Sequence, residues 1–444
     1  MISMTEVPSS SDVSAVPRVD VDDSGAERVL WLRTADVCVG VVPALGGRVL
    51  SLVTRAGEHL FRNPELLDDV IHPAVEIAEV GNALDGTLGS WINWGGDKTW
   101  PAPQGWSGPG EWPGPPDTVL DGGPYIASWT ADRARASIEM CSPDDPRTGL
   151  RICRRVEVTQ GISGYRLTST FTNTSDREIR WAIWHVVQLP GARATPGEAA
   201  DVRLGVWVST GPVPGLSVEH LIAGTEPLKV DQTYAEVAWV PAQDVVGKVG
   251  FPAAAGWVAH AEAGRVTALR FAPEPAATYP DRGSRVEVWL EHPLSDPLTH
   301  LGDLRPRHRV AECEVLGPLQ TIPPRSSTHL VTDVIGCACE GPVRDVSAAA
   351  AVLESIVVAR HGSGLYVTGT IGAFRTGPVT LGFSDRAGRQ VGEVSLGMAL
   401  AGIPFQISSA TTASAAATSV VVRLGGSTVA GAPASRLGEQ EGHA

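Results

Sequence analysis

Residues 28–61 read RVLWLRTADVCVGVVPALGGRVLSLVTRAGEHLF. Val39-Gly40-Val41-Val42 is largely β-branched and apolar, Gly46-Gly47 is a turn, and Arg48-Val49-Leu50-Ser51-Leu52 resumes an alternation of faces. The stretch therefore predicts three strands joined by tight turns. The same texture returns downstream at Arg151–Thr159, Gly164–Asn173, Glu178–Leu189, Val202–Thr210, Gly256–Ala261, Val266–Phe271, Arg285–His292, Arg309–Leu316 and Ser327–Ile335. With 49 Gly and 34 Pro in 444 residues, this pattern favours strands and turns over long helices. The one helix candidate is the Ala-rich run Ala348–Val358. The expected fold class is all-β.

Length argues for two domains. Residues 1–27 are rich in Ser, Pro and Asp and are expected to be disordered. Residues 28–342 are assigned to a large β-sandwich, 343–425 to a small β-sandwich and 426–444 to a flexible tail. The formal net charge of −14 argues against nucleic acid and anionic membrane surfaces as partners. The first residues show neither a basic nor an apolar leader region, and no run approaches the length of a membrane span. A cytoplasmic location is expected. Oligomeric state is not legible. The six cysteines, Cys38, Cys141, Cys153, Cys313, Cys337 and Cys339, lack zinc-knuckle spacing and are expected to be buried, reduced thiols.

Four stretches carry candidate chemistry. Residues 81–125 are dense in Pro and Gly and are expected to form a long ordered loop containing Trp91, Trp94, Trp100, Trp106 and Trp112. Indole rings cover the C–H faces of sugars, and the interleaved Asn93, Asp97, Lys98, Gln104 and Asp117 suit hydroxyls. In Arg180–Gln188, alternation puts His185 with Trp181, Ile183 and Val187, and Gln188 with Trp184 on the other face. His185 is a candidate for proton transfer near neutral pH. In Val310–Leu319, Glu312 and Glu314 share a face opposite Cys313 and Val315. In Tyr279–Glu291, Glu287, Trp289 and Glu291 share a face opposite Val286, Val288 and Leu290. Dinucleotide-binding, P-loop, nucleophile-elbow and HExxH motifs are missing, and the histidines are dispersed, so neither cofactor nor metal is expected.

The order of these pieces resembles the galactose mutarotase-like (aldose 1-epimerase) superfamily from about Leu30 to Val334. The resemblance rests on Gly46-Gly47-Arg48 before alternating residues, on Asn173-Thr174-Ser175 followed by His185, and on Glu314 followed by Pro323-Pro324 and Thr328–Thr332. In detail the chain is similar to a bacterial branch with a Trp-Gly-Gly-Asp-Lys-x-Trp-Pro-x-Pro-Gln loop, here Trp94–Gln104. The resemblance implies a β-supersandwich whose concave face binds a monosaccharide, and hence a small-molecule carbohydrate as partner. It implies His185 as acid on the ring oxygen and Glu314, with Glu312 as rival, as base on the anomeric hydroxyl. It also implies that Arg48 contacts sugar. Trp94, Asp97, Lys98, Trp100, Gln104, Glu287 and Trp289 complete the expected binding residues. Val186-Val187-Gln188 follows the histidine where mutarotases have Pro-Tyr-Phe. Three functions stay open: acid/base catalysis of aldose 1-epimerase type, sugar binding without turnover, and lyase or glycoside-processing chemistry. The epimerase assignment requires His185 and a Glu carboxylate to face one sugar-sized gap.

Overall fold

A computed structural model describes residues 16–436, apart from 78–83, 106–110, 193–203, 212–215, 235, 263, 362–363, 412–415 and 434. The architecture is all-β. The opening stretch forms Val29–Arg33, Cys38–Val42 and Arg48–Thr54, each buried along its whole length. Strands covered on both faces read as continuous apolar runs, which is the pattern of Val39–Val42. Gly46 and Gly47 take φ of 69° and 61°. A Cβ on Gly46 would lie 1.8 Å from the Asp121 carbonyl oxygen, so this turn accepts only glycine.

These strands belong to a 12-stranded antiparallel sheet. Its central order is Arg48–Thr54, Asp97–Ala102, Ile179–Pro190, Val310–Leu316, Val286–Glu291, Gly247–Phe251 and Glu219–Ala223. A 10-stranded sheet, with Leu150–Thr159, Gly164–Asn173 and Ser327–Cys337 among its strands, packs against it. The main apolar core lies between the two and draws on both, for example Val39, Val187 and Cys313 from one sheet and Ile152, Leu167 and Val334 from the other. From Asp345 onward the chain forms a six-stranded and a four-stranded sheet around a core of their own.

Several sequence expectations need correction. Arg18–Asp22, assigned to a disordered segment, is a strand paired with Val29–Arg33. Its sequence RVDVD already alternates, and the charges pair across the strands, Arg33 Nε lying 3.0 Å from Asp20 Oδ2. Residues 1–15 and 437–444 lie outside the described residues. Ser427–Pro433, placed in the tail, is a strand paired with Ser419–Leu424. The helix candidate is instead two strands, Ala350–Val352 and Val357–His361, because tertiary pairing overrides the propensity of alanine. Asp97–Ala102 is not loop but a strand between Arg48–Thr54 and Ile179–Pro190. Finally, Cys141 and Cys153 are not thiols. They stand opposite each other on paired strands, Cα to Cα 4.1 Å, and form a disulfide. The other four cysteines are buried and form no disulfide, as expected.

Candidate functional site

Strand register builds the site. Across the outer face of the large sheet, one row runs Lys248, Trp289, Glu312, Gln188, and the next runs Glu287, Glu314, Val186, Lys98. Trp184 and Trp100 stand opposite each other one row further. Directly opposed residues in an antiparallel pair project to the same side. The alternation read for Glu312 and Glu314, and for Glu287, Trp289 and Glu291, therefore holds and assembles one surface.

That surface floors a cavity of about 390 Å³. Trp91, Trp100, Trp184 and Trp289 line it, together with Gln104, Lys248, Glu291 and Glu312. The indoles are fixed from behind. Asp121 accepts from Trp91 Nε1 at 2.8 Å and from Trp100 Nε1 at 2.9 Å, and is itself held by Arg48. Glu314 accepts from Trp184 Nε1 at 2.6 Å. Trp100 and Trp184 meet edge to face with centroids 5.2 Å apart.

The charges beneath are paired. Lys248 Nζ donates to Glu314 at 2.8 Å and Glu287 at 2.9 Å, and sits 4.3 Å from the Trp184 ring centre. Burial alone would pull the ammonium down, but these two carboxylates hold it above its ordinary range. Burial drives Glu314 and Glu287 upward, and Lys248 opposes this. Lys98 Nζ lies 3.3 Å from Glu312 Oε1 and 4.4 and 4.2 Å from the Trp91 and Trp100 ring centres. Its burial outweighs the attraction of Glu312 and lowers it. Gln188 Nε2 donates to Glu312 at 2.5 Å. Glu291, which accepts from Trp289 Nε1 at 3.3 Å, is pushed up to about 8 by burial and by the neighbouring charge of Glu312. Among the described residues, Glu291 and Glu312 are the two carboxylates that line the cavity.

The opposite face of the same strands is sealed. His185 is fully buried, and its Nε2 lies 3.0 Å from Asp97 Oδ1. Arg154 Nη2 and the Tyr165 hydroxyl donate to Asp97. Burial pushes the Asp97 carboxyl up, yet His185 and Arg154 overcome this and hold it below its usual range. Arg154 Nε donates to Thr99 Oγ1 at 3.0 Å and its Nη1 reaches the Asp97 carbonyl at 3.0 Å.

A model of the family described as "Domain of unknown function (DUF4380)" matches residues 28–327. The chain belongs to this family. The DUF4380 match takes in every cavity residue named above. No curated protein matches the chain. Solved structures similar to this DUF4380 protein include a TPR-domain containing protein from Parabacteroides distasonis, at 14% identity and TM-score 0.45, covering 72% of this chain and 49% of that one. This chain thus spans about half of that protein's length. A galactose mutarotase-like protein from Clostridium acetobutylicum matches at 10% identity and TM-score 0.45, over 73% of this chain and 99% of that one. Another, from Lactobacillus casei, matches at 10% identity and TM-score 0.42, over 69% and 99%.

Within the DUF4380 region, some expected site residues gather and others do not. Trp100, Gln104, Trp289 and Glu312 line the cavity. Lys98, Glu287 and Glu314 lie directly behind its wall. His185 and Asp97 face the inter-sheet core, so His185 cannot serve as the acid opposite Glu312 or Glu314. Arg48 is fully buried against Asp121 and supports the indoles instead of touching a ligand. Trp94 packs with Val29, Trp31 and Leu50 in a separate core, and Trp112 is buried against Trp100. Trp106 lies outside the described residues. Sequence reasoning missed Lys248, Ile222, His300, Leu301 and Leu304 at the cavity. A single lysine inside the apolar run Gly247-Lys248-Val249-Gly250-Phe251 was the available signal for the first.

Proposed function

We propose that this chain acts on carbohydrate, taking an uncharged sugar ring over the tryptophan floor and moving protons with Glu291 as acid and Glu312 as base. The observation that carries this reading is the cavity itself: four indoles face two carboxylates, one of which is held up to about 8. Indole faces suit C–H surfaces, and the carboxyl groups and the Gln104 amide suit hydroxyls. The reading of an uncharged ring rests on the cations near the floor. Lys98 is engaged by Glu312, Lys248 by Glu287 and Glu314, and Arg48 by Asp121. An anionic sugar would have to displace one of these pairs.

His185 faces away from the cavity, so the expected His185–Glu pair cannot open a sugar ring, and a reaction of aldose 1-epimerase type would use Glu291 as its acid instead. Glu291 gives its proton to the ring oxygen as the bond from C1 to that oxygen breaks. Glu312 removes the proton of the anomeric hydroxyl, and the electrons left behind form the C1 carbonyl. Rotation about C1–C2 and the reverse transfers return the ring with the other anomer. Positioned acids and bases of this kind contribute roughly 10²–10⁴-fold each.

Mutarotation of a panel of hexoses and pentoses, followed by NMR or polarimetry, tests the proposal. The wild type should exceed background on at least one sugar, and Glu291→Gln should return that rate towards background. Background rates across the whole panel would rule out the epimerase reaction. A second reading, binding without turnover, draws on the fact that Glu312 is already bonded to both Lys98 and Gln188. It would be supported by sugar binding that is equal in wild type and Glu312→Gln, with no mutarotation in either.

A further inference from the structure

The floor and mouth of the cavity differ in chemistry. Trp100, Trp184, Lys248, Glu312 and Trp289 are buried, each at most 9% exposed. Above them, Leu88, Ile222, Leu301 and Leu304 line the same cavity but remain half-buried. None of these four aliphatic residues belongs to an apolar core cluster of the described residues. The mouth is nevertheless a built structure. Leu88 and Leu301 sit in two 3₁₀ turns, Leu88–Ser90 and Thr299–Leu301. Gly89 N donates to Gly302 O at 2.7 Å and ties the two turns together, while Leu298 N donates to Leu304 O at 2.8 Å and closes the second loop.

A sugar ring on the tryptophan floor would use the carboxyls and the amide but leave this rim uncovered. Half-exposed aliphatic side chains held at a cavity mouth gain free energy only when something apolar covers them. We infer that the ligand is a sugar bearing an apolar substituent, an aryl or alkyl group, with the ring on the floor and the substituent against Leu88, Ile222, Leu301 and Leu304. This rests on the carbohydrate reading of the floor and adds the substituent to it.

The test uses paired methyl and benzyl ethers at O4 and O6 of glucose, galactose and mannose, which keep the anomeric hydroxyl free for Glu312, with benzyl alcohol alone as a further probe, titrated into the full chain by calorimetry at anomeric equilibrium. For any sugar that binds, the benzyl ether at one of these positions should bind roughly tenfold or more tightly than its methyl partner, given about 0.8 kcal/mol per buried methylene. The double substitution Leu301→Ser with Leu304→Ser should bring that ratio towards one, chiefly by weakening the benzyl ether. Equal affinities within every wild-type pair, or a ratio untouched by the double substitution, would overturn the substituent and leave the carbohydrate reading standing. Benzyl alcohol binding as tightly as the benzyl ethers, or no binding by any ether, would overturn both.

Discussion

The two faces of one pair of strands, Ile179–Pro190 and Val310–Leu316, carry buried charge in different ways. On the inner face, Asp97, Arg154, His185 and Tyr165 form a closed set between the sheets. On the outer face, Lys98, Lys248, Glu312 and Glu314 are also paired, yet their indole neighbours open onto a cavity. Residue type does not separate the faces, since each holds carboxylates and cations, and the histidine lies on the closed one. Access separates them. A buried ion pair that touches no cavity is weak evidence of function, because its partners satisfy only each other.

The largest effect should come from breaking the closed set. Arg154→Met leaves the Asp97 carboxylate buried with one charge partner fewer. Removing one member of a buried pair costs about 3–5 kcal/mol. Urea denaturation should show a loss of that size, and a loss under about 1 kcal/mol would mean that the inner face is not closed. On the outer face, Glu312→Gln keeps an oxygen to accept from Lys98 and Gln188 but strips the buried Lys98 of its counter-charge, so stability should also fall, by up to about 3–5 kcal/mol. Any mutarotation rate should fall by roughly 10²–10⁴-fold. Rates that survive this change would remove Glu312 from the role of base.

What the sequence made legible follows the same division. Period two is a local property, so the shared face of Glu312 and Glu314, and that of Glu287, Trp289 and Glu291, could be read directly. Parity within a strand does not say which face meets a cavity, so the alternation around His185 leaves its side of the sheet open. Asp97–Ala102 was hidden by its composition. Asp, Lys and Pro read as loop, and only the pairing of Asp97 with Arg154 and of Lys98 with Glu312 makes them tolerable inside a sheet. The disulfide depends on the register between two separate strands, which no spacing of Cys141 and Cys153 reveals. Lys248 was passed over because a five-residue strand with two glycines gives little periodicity.

A smaller effect should separate the faces by pH. The Glu291 carboxyl moves from an ordinary 4.5 to about 8 in the folded chain. The folded protein therefore keeps a proton that the unfolded chain releases. The stabilisation from this group is complete below about 4.5, declines as pH rises, and is gone above about 8. The acid needed for ring opening is lost over the upper end of the same window. Comparing urea midpoints from about pH 5 to about pH 9, wild type should lose stability more steeply than Glu291→Gln. Parallel curves would show that Glu291 titrates as an ordinary surface carboxyl.

The smallest effect on the pocket should follow from His185→Gln. Asp97 keeps Arg154 and Tyr165 after this change, so one contact is lost from a set that otherwise stays closed. A cost of about 1–2 kcal/mol is expected for a single buried hydrogen-bonding partner. Sugar affinity and any mutarotation rate should stay within a few-fold of wild type, because the imidazole and the cavity lie on opposite sides of the sheet. The two measurements must be read together. A folded His185→Gln protein that loses turnover but keeps its urea midpoint would place the imidazole in the reaction after all, and the separation of the two faces would fail. A lowered midpoint with turnover intact is the outcome that a supporting, inward-facing histidine requires.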